Sequence, residues 1–138
     1  MTKIRPEIKR GEWKLSKHAF YTAYHYALQY PEWKDMYYSI VDLSSSGNDG
    51  MPHASGVSNP TESKGLKALG LSEKIKMIED TAKEAGEDLY PWLLKGVTNE
   101  GITYNYLRMI MRIPCGKNQY YDKRRKFYAL LCDKIGAR

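Results

Sequence analysis

Side chains suited to reading DNA bases follow one another near the C-terminus of this sequence. Asparagine and glutamine can each form two hydrogen bonds with adenine, and lysine can contact guanine in the major groove. These residue types stand together at Lys117, Asn118 and Gln119, and Asp122 and Lys123 follow one helical turn later. The five residues are therefore candidates for base reading.

Four neighbouring cations are candidates for phosphate contacts, which supply affinity but no sequence information. Arg124, Arg125 and Lys126 form a continuous run, and Arg112 lies upstream. Residues 102–138 hold 9 Lys/Arg and 2 Asp/Glu, a net charge of +7, whereas the 31 residues before them hold 4 and 7, a net charge of −3. A basic block beside an acidic one is typical of polyanion binding, and a solvated basic helix is the alternative on charge alone.

Catalysis and metal binding find little support. His18, His25 and His53 form no metal-ligand pattern, and Cys115 and Cys132 have the context of free thiols without a neighbouring base. Phosphate-binding glycine motifs and a calcium loop are missing as well. We therefore predict no catalytic residue, no metal site and no cofactor.

Apolar residues recur at helical spacing through most of the chain, and no segment shows the period of two that strands require. The pattern predicts two helices between Trp13 and Leu43. Asn59 to Glu62 favours a helix start, and two glycines favour a break near Leu71–Ser72 before the helix resumes and stops at Gly86. With a further short helix over Leu89–Val97, the sequence predicts an all-α fold, a small multi-helix domain.

The same patterns predict that this domain ends in a helix-turn-helix over about residues 103–136. Thr103 can cap its first helix, Pro114 would end that helix, and a turn of about three or four residues would follow. The second helix would run from about Lys117 to Gly136, a C-cap glycine. Three of its residues share one face and are predicted to pack into the core: Tyr120, Phe127 and Leu131.

Composition divides the chain into three predicted parts. Residues 1–43 would form a basic arm and an aromatic-rich helical pair, residues 44–58 a flexible loop, and residues 59–138 the helical domain with the helix-turn-helix. Nine aromatic residues between Trp13 and Tyr38 are too many for one small core, so we expect the N-terminal helices to be a partner-binding or dimerising module. The alternative is that these aromatic residues complete a single core.

Two short motifs resemble a known family. GKNQYYDKRRKFYALLCDKIG, from Gly116 to Gly136, resembles the ending of phage late-gene transcriptional activators of the RinA/ArpU type, and Ser58-Asn59-Pro60-Thr61 resembles the Ser-Asp-Pro-Thr that opens their central helix. That family resembles region four of bacterial sigma factors. The resemblance implies a role for Tyr120, Tyr121 and the run Lys123 to Lys126, although Pro114-Cys115-Gly116 replaces the usual serine-capped turn.

The residues and the resemblance together predict a sequence-specific DNA-binding transcriptional regulator of phage or prophage origin. We expect it to act in the cytoplasm on double-stranded DNA, with RNA polymerase and a second copy of the chain as further candidate partners. No apolar run approaches the ~20 residues that span a bilayer, so no membrane association is expected. The alternative is a phage assembly or DNA-packaging adaptor of small-terminase type, or a helical protein–protein interaction module.

Overall fold

The computed structural model describes residues 13–46 and 60–137, and within these ranges it contains helices and no strand. The predicted all-α fold is therefore confirmed. The elements, in chain order, are α1 (Lys17–Leu28), α2 (Tyr30–Ser46), α3 (Pro60–Gly86), a 3-10 turn (Glu87–Leu89), α4 (Tyr90–Thr98), α5 (Tyr104–Met109) and α6 (Lys117–Ile135).

The longest helix, α3, differs from its prediction. It begins at Pro60 and ends at Gly86 as predicted, but it continues without interruption through Leu71 and Ser72. The predicted break there is wrong because an exposed helical glycine costs only about 1 kcal/mol. Packing outweighs that cost, since Leu71 and Ile78 lie on the buried stripe of one unbroken helix.

All six helices contribute to one hydrophobic core. Within this core, α6 packs against α3, α1 and α4. The buried Cys132 thiol of α6 donates a hydrogen bond to the Ala19 carbonyl of α1 at 3.2 Å. On another side, Lys134 Nζ lies 3.0 Å from Thr81 Oγ1 of α3. Most of α6 is thus fixed by neighbours on several sides.

The aromatic residues of α1 and α2 complete this shared core. Phe20 is fully buried and meets the ring of Tyr128 edge to face, with their centroids 5.0 Å apart. Tyr24 and Trp33 are also buried, whereas others, such as Tyr38, keep much of their surface in water. The nine aromatic residues thus need not all fit into the core, because some of them remain at the surface. The packing favours the single-core alternative over a separate N-terminal module.

Several predicted features lie outside the described residues. These are the basic arm at residues 1–12, most of the loop at 44–58, and Asn59 as the cap of α3. The start of the predicted loop is corrected, because residues 44–46 belong to the last turn of α2.

Candidate nucleic-acid interface

α5 and its connection to α6 occupy the region in which the helix-turn-helix was predicted. The Thr103 cap is confirmed, because its Oγ1 accepts a hydrogen bond from the Tyr106 amide at 3.2 Å. α5 ends at Met109, however, and not near Pro114, so the connection spans residues 110–116 and is longer than predicted.

The chain leaves α5 early because the backbone folds back in the next turn. Arg112 adopts a left-handed conformation with φ of 54°, and the Ile113 amide donates a hydrogen bond to the Leu107 carbonyl at 3.0 Å. The Ile113 side chain is buried, so the apolar contact that fixes this turn competes with continuation of the helix. Pro114, which was expected to end α5, therefore lies five residues after the last residue of that helix.

Two side-chain hydrogen bonds fasten the connection to the body of the protein. The indole Nε1 of Trp92 donates to the Met111 carbonyl at 2.8 Å, and the hydroxyl of Tyr104 donates to the Cys115 carbonyl at 2.5 Å. Burial raises the pKa of the Cys115 thiol above its usual range, so this thiol stays protonated near neutral pH. These bonds fix the position of the α6 N-terminus relative to α4 and α5.

The first turn of α6 exposes three polar side chains, while Tyr120 in the same turn faces the core. The helix begins at Lys117 as predicted, and Lys117, Asn118 and Gln119 are all exposed in its first turn. Asp122 is exposed one turn later. Lys123 is half-buried, and its Nζ lies 4.0 Å from Glu87 Oε2 in the 3-10 turn. Four of the five candidate base readers are therefore exposed, and the fifth faces a neighbouring carboxylate.

The predicted phosphate contacts Arg124, Arg125 and Lys126 point in three directions, because successive helical residues are about 100° apart. The guanidinium of Arg124 lies over the Tyr128 ring, 5.4 Å from its centroid. Arg125 forms an ion pair with Asp122, and its side chain is 11% exposed. The continuous run in the sequence is not a single basic patch in space.

Lys126 and Arg112 differ in their surroundings. Lys126 Nζ lies 5.7 Å from the centroid of the Trp13 ring, so this cation packs against the N-terminal side of the molecule. Arg112, on the connection, is exposed. Sequence reasoning did not single out Arg108, which is exposed on α5 four residues earlier. The sequence feature that could have indicated Arg108 is the lack of any Asp or Glu between Glu100 and Asp122, which leaves the cations of this segment without a neighbouring acidic residue in the sequence.

The predicted core face of α6 is confirmed, since Tyr120, Phe127 and Leu131 are all buried. The Tyr120 side chain packs against Gly96 of α4. A β-carbon added at Gly96 would overlap the Tyr120 hydroxyl and lie 3.3 Å from the ring carbon Cζ. The absence of a side chain at Gly96 therefore creates the space that Tyr120 fills.

No cluster of three or more His, Cys, Asp or Glu side chains in residues 13–46 and 60–137 could hold a metal ion. Among the helices described, none is both long and apolar enough to cross a membrane. The chain matches no protein-family model, no curated protein and no solved structure, so the geometry described above carries the functional argument.

Proposed function

We propose that this chain is a sequence-specific DNA-binding protein that presents the exposed N-terminal end of α6 to the major groove. In this proposal α5 and α6 act as a helix-turn-helix with a long connection, and α5 braces α6 across the DNA backbone. The observation that carries the proposal is the exposure of Lys117, Asn118 and Gln119 at the start of a helix whose apolar face is buried in the core.

Charge around this end of α6 supports the proposal. Residues 101–121 contain no carboxylate and carry three cations, Arg108, Arg112 and Lys117, all of which are exposed. The N-cap of α6 is Gly116, which offers no side-chain hydrogen bond, and the first turn contains no acidic residue. Free amides at a helix N-terminus attract anions such as phosphate.

The side chains fall into two roles in this proposal. Asn118 and Gln119 read base edges, and Lys117 contacts a guanine or a nearby phosphate. Arg108 and Arg112 take the phosphate contacts in preference to Arg124, whose guanidinium is stacked on tyrosine rings. Binding through such contacts weakens as salt rises because counterions are released.

A regulatory role in a phage or prophage rests on the resemblance to the RinA/ArpU-type activators. That resemblance includes Tyr120 and Tyr121 and the basic run Lys123 to Lys126. We propose transcriptional regulation on this basis, with RNA polymerase and a second copy of the chain as candidate partners.

Selection of bound sequences from a random duplex pool tests the proposal directly. The full chain should enrich one motif, and Asn118→Ala should cost about 1–3 kcal/mol on the selected duplex and little on random DNA. Gln29→Ala, which removes an exposed amide from the end of α1, is the matched control and should leave both affinities unchanged. Base reading would be refuted if the pool enriched no motif. It would also be refuted if Asn118→Ala weakened binding to the selected duplex and to random DNA by the same factor.

A further inference from the structure

Three large apolar side chains lie exposed on α5 and the residue after it. Met109 is 74% exposed, Ile110 is 65% exposed and Tyr106 is 39% exposed. Their spacing of three and four residues places them on one side of the helix, while Tyr104 and Leu107 face the core. A contiguous apolar group of this kind on a protein surface marks an interaction site.

Met111, the residue after Ile110, lines an open cleft of about 540 Å³ between α2 and α4. Its apolar walls include Pro91, Leu94 and the ring of Tyr38. Together, the exposed α5 face and the Met111 cleft form a surface with one convex and one concave part, which we term the α5 surface.

The Met111 cleft carries more positive than negative charge. Lys34 and Lys95 line it, and these two cations are separate from Arg108 and Arg112, which the proposed function assigns to phosphate. Asp35 is the one carboxylate among the described residues that line the cleft. Opposite charges across an interface favour association, whereas a second copy of the same surface would bring like charges together.

We infer that the α5 surface binds an acidic amphipathic helix of a partner protein. Apolar residues on one face of that helix would cover Met109 and Ile110, with one anchor entering the Met111 cleft. Its carboxylates would lie near Lys34 and Lys95, whose charges would otherwise face the cleft unopposed by more than Asp35. DNA is a poor occupant, because an apolar face gives phosphate no hydrogen bonds. This inference goes beyond the proposed DNA binding and does not depend on it.

A labelled synthetic helix of about 18 residues serves as the probe, with Leu at i, i+3, i+4 and i+7 and Glu at the other positions. Fluorescence anisotropy with the full chain should detect binding of this peptide and not of a matched peptide that carries Lys in place of each Glu. Met109→Ser combined with Ile110→Ser should weaken binding by about tenfold or more. Lys34→Glu combined with Lys95→Glu should weaken it as well.

The control variant combines Leu66→Ser with Leu69→Ser, which removes two exposed leucines from α3, outside the α5 surface. It should bind the acidic peptide as the unmodified chain does, and circular dichroism checks that each variant keeps its helical content. Equal binding of the acidic and basic peptides, or binding unaffected by Met109→Ser and Ile110→Ser, would overturn the inference.

Two further readouts separate the other possible occupants. If light scattering finds a dimer that Met109→Ser with Ile110→Ser dissociates, the surface belongs to a second copy and the inference is wrong. If the same variant keeps peptide binding but loses the selected duplex, the exposed side chains belong to the DNA interface and the inference also fails. Retained duplex binding with lost peptide binding supports it, and failure of DNA binding in every variant would count against the proposed function alone.

Discussion

Gly96 leaves no room for a side chain where α4 packs against Tyr120 of α6. Gly96→Ala should destabilise the fold by about 1–3 kcal/mol, because the added methyl group overlaps the Tyr120 hydroxyl. Urea unfolding measures the change. Combining Gly96→Ala with Tyr120→Phe removes the overlapping oxygen and should restore part of the loss. A single variant as stable as the unmodified chain would show that α4 shifts to make space.

Two glycines in α3 have open space where Gly96 has none, so they serve as controls for the Gly96→Ala variant. An added β-carbon at Gly65 or Gly70 would meet no atom within 4 Å. Alanine at either position should therefore raise the free energy of unfolding by about 0.5–1 kcal/mol, since it restricts the unfolded chain and strains nothing in the helix. Destabilisation at both positions would contradict the continuous helix described for α3.

Tyr30 connects α2 to α3 and should make stability depend on alkaline pH. Its buried hydroxyl donates a hydrogen bond to Glu79 Oε2 at 2.6 Å. Burial, followed by the hydrogen bond to Glu79, raises the pKa of Tyr30 well above its usual value of 10.0. The folded state therefore disfavours the phenolate that forms readily in the unfolded chain above pH 10. The stabilisation is fully present below pH 10 and is lost as pH rises beyond it.

The comparison with Tyr30→Phe isolates this effect. At pH 8 the unmodified chain should be more stable by about 1–2 kcal/mol, because the variant leaves Glu79 without its hydroxyl donor. The difference in unfolding free energy should shrink at pH 11, because the Tyr30 phenol of the unmodified chain ionises in the unfolded state but stays protonated in the folded state, whereas the variant has no such group. Urea unfolding at the two pH values is the measurement, and a difference that stays constant would disprove the assignment.

At the scale of elements, the N-terminus of α6 offers a test that separates helix capping from charge. Gly116 has an extended backbone conformation and nothing within 4 Å of an added β-carbon, so asparagine and aspartate both fit there as caps. Only aspartate adds a negative charge where the proposed phosphate would bind. Gly116→Asp should bind the selected duplex about tenfold more weakly than Gly116→Asn. Equal affinities would mean that no phosphate approaches this helix end.

Local signals predicted several helix ends correctly. Thr103 caps α5 with its hydroxyl, Gly136 ends α6 in a left-handed conformation with φ of 72°, and α3 runs from Pro60 to Gly86. Each of these helix ends depends on a few adjacent residues, so it can be predicted without knowledge of the tertiary structure.

Predictions that depended on tertiary contacts were less successful. The early end of α5 follows from burial of Ile113, and the uninterrupted α3 follows from packing along its whole stripe. In the candidate site, α6 begins at Lys117 as predicted because a helix start is locally encoded. The dispersal of Arg124, Arg125 and Lys126 was missed because adjacent residues were treated as one patch, without the helical rotation between them and their separate ring and carboxylate neighbours.

At the scale of the whole molecule, the N-terminal helices and the rest should fold as one unit. A fragment beginning at Asn59 lacks Phe20, Tyr24 and Trp33, so α6 and α3 lose the rings that cover them. We expect this fragment to show no cooperative thermal transition by circular dichroism under conditions in which the full chain does. A fragment that melts cooperatively and still enriches the selected duplex would restore the two-part division of the chain.

The packing of α6 against three other helices has a consequence for how a complex would form. The proposed reading residues and the core residues Phe127 and Leu131 belong to one helix, so the exposed tip cannot be re-aimed without disturbing the packed interior. A rigid reader loses little conformational freedom on binding, but it also cannot adapt its shape to an imperfect site. The DNA duplex must then change its shape to fit the protein, and the free energy of bending it depends on the flexibility of each base step. Base pairs that no side chain touches should therefore contribute to site preference through the stiffness of the DNA.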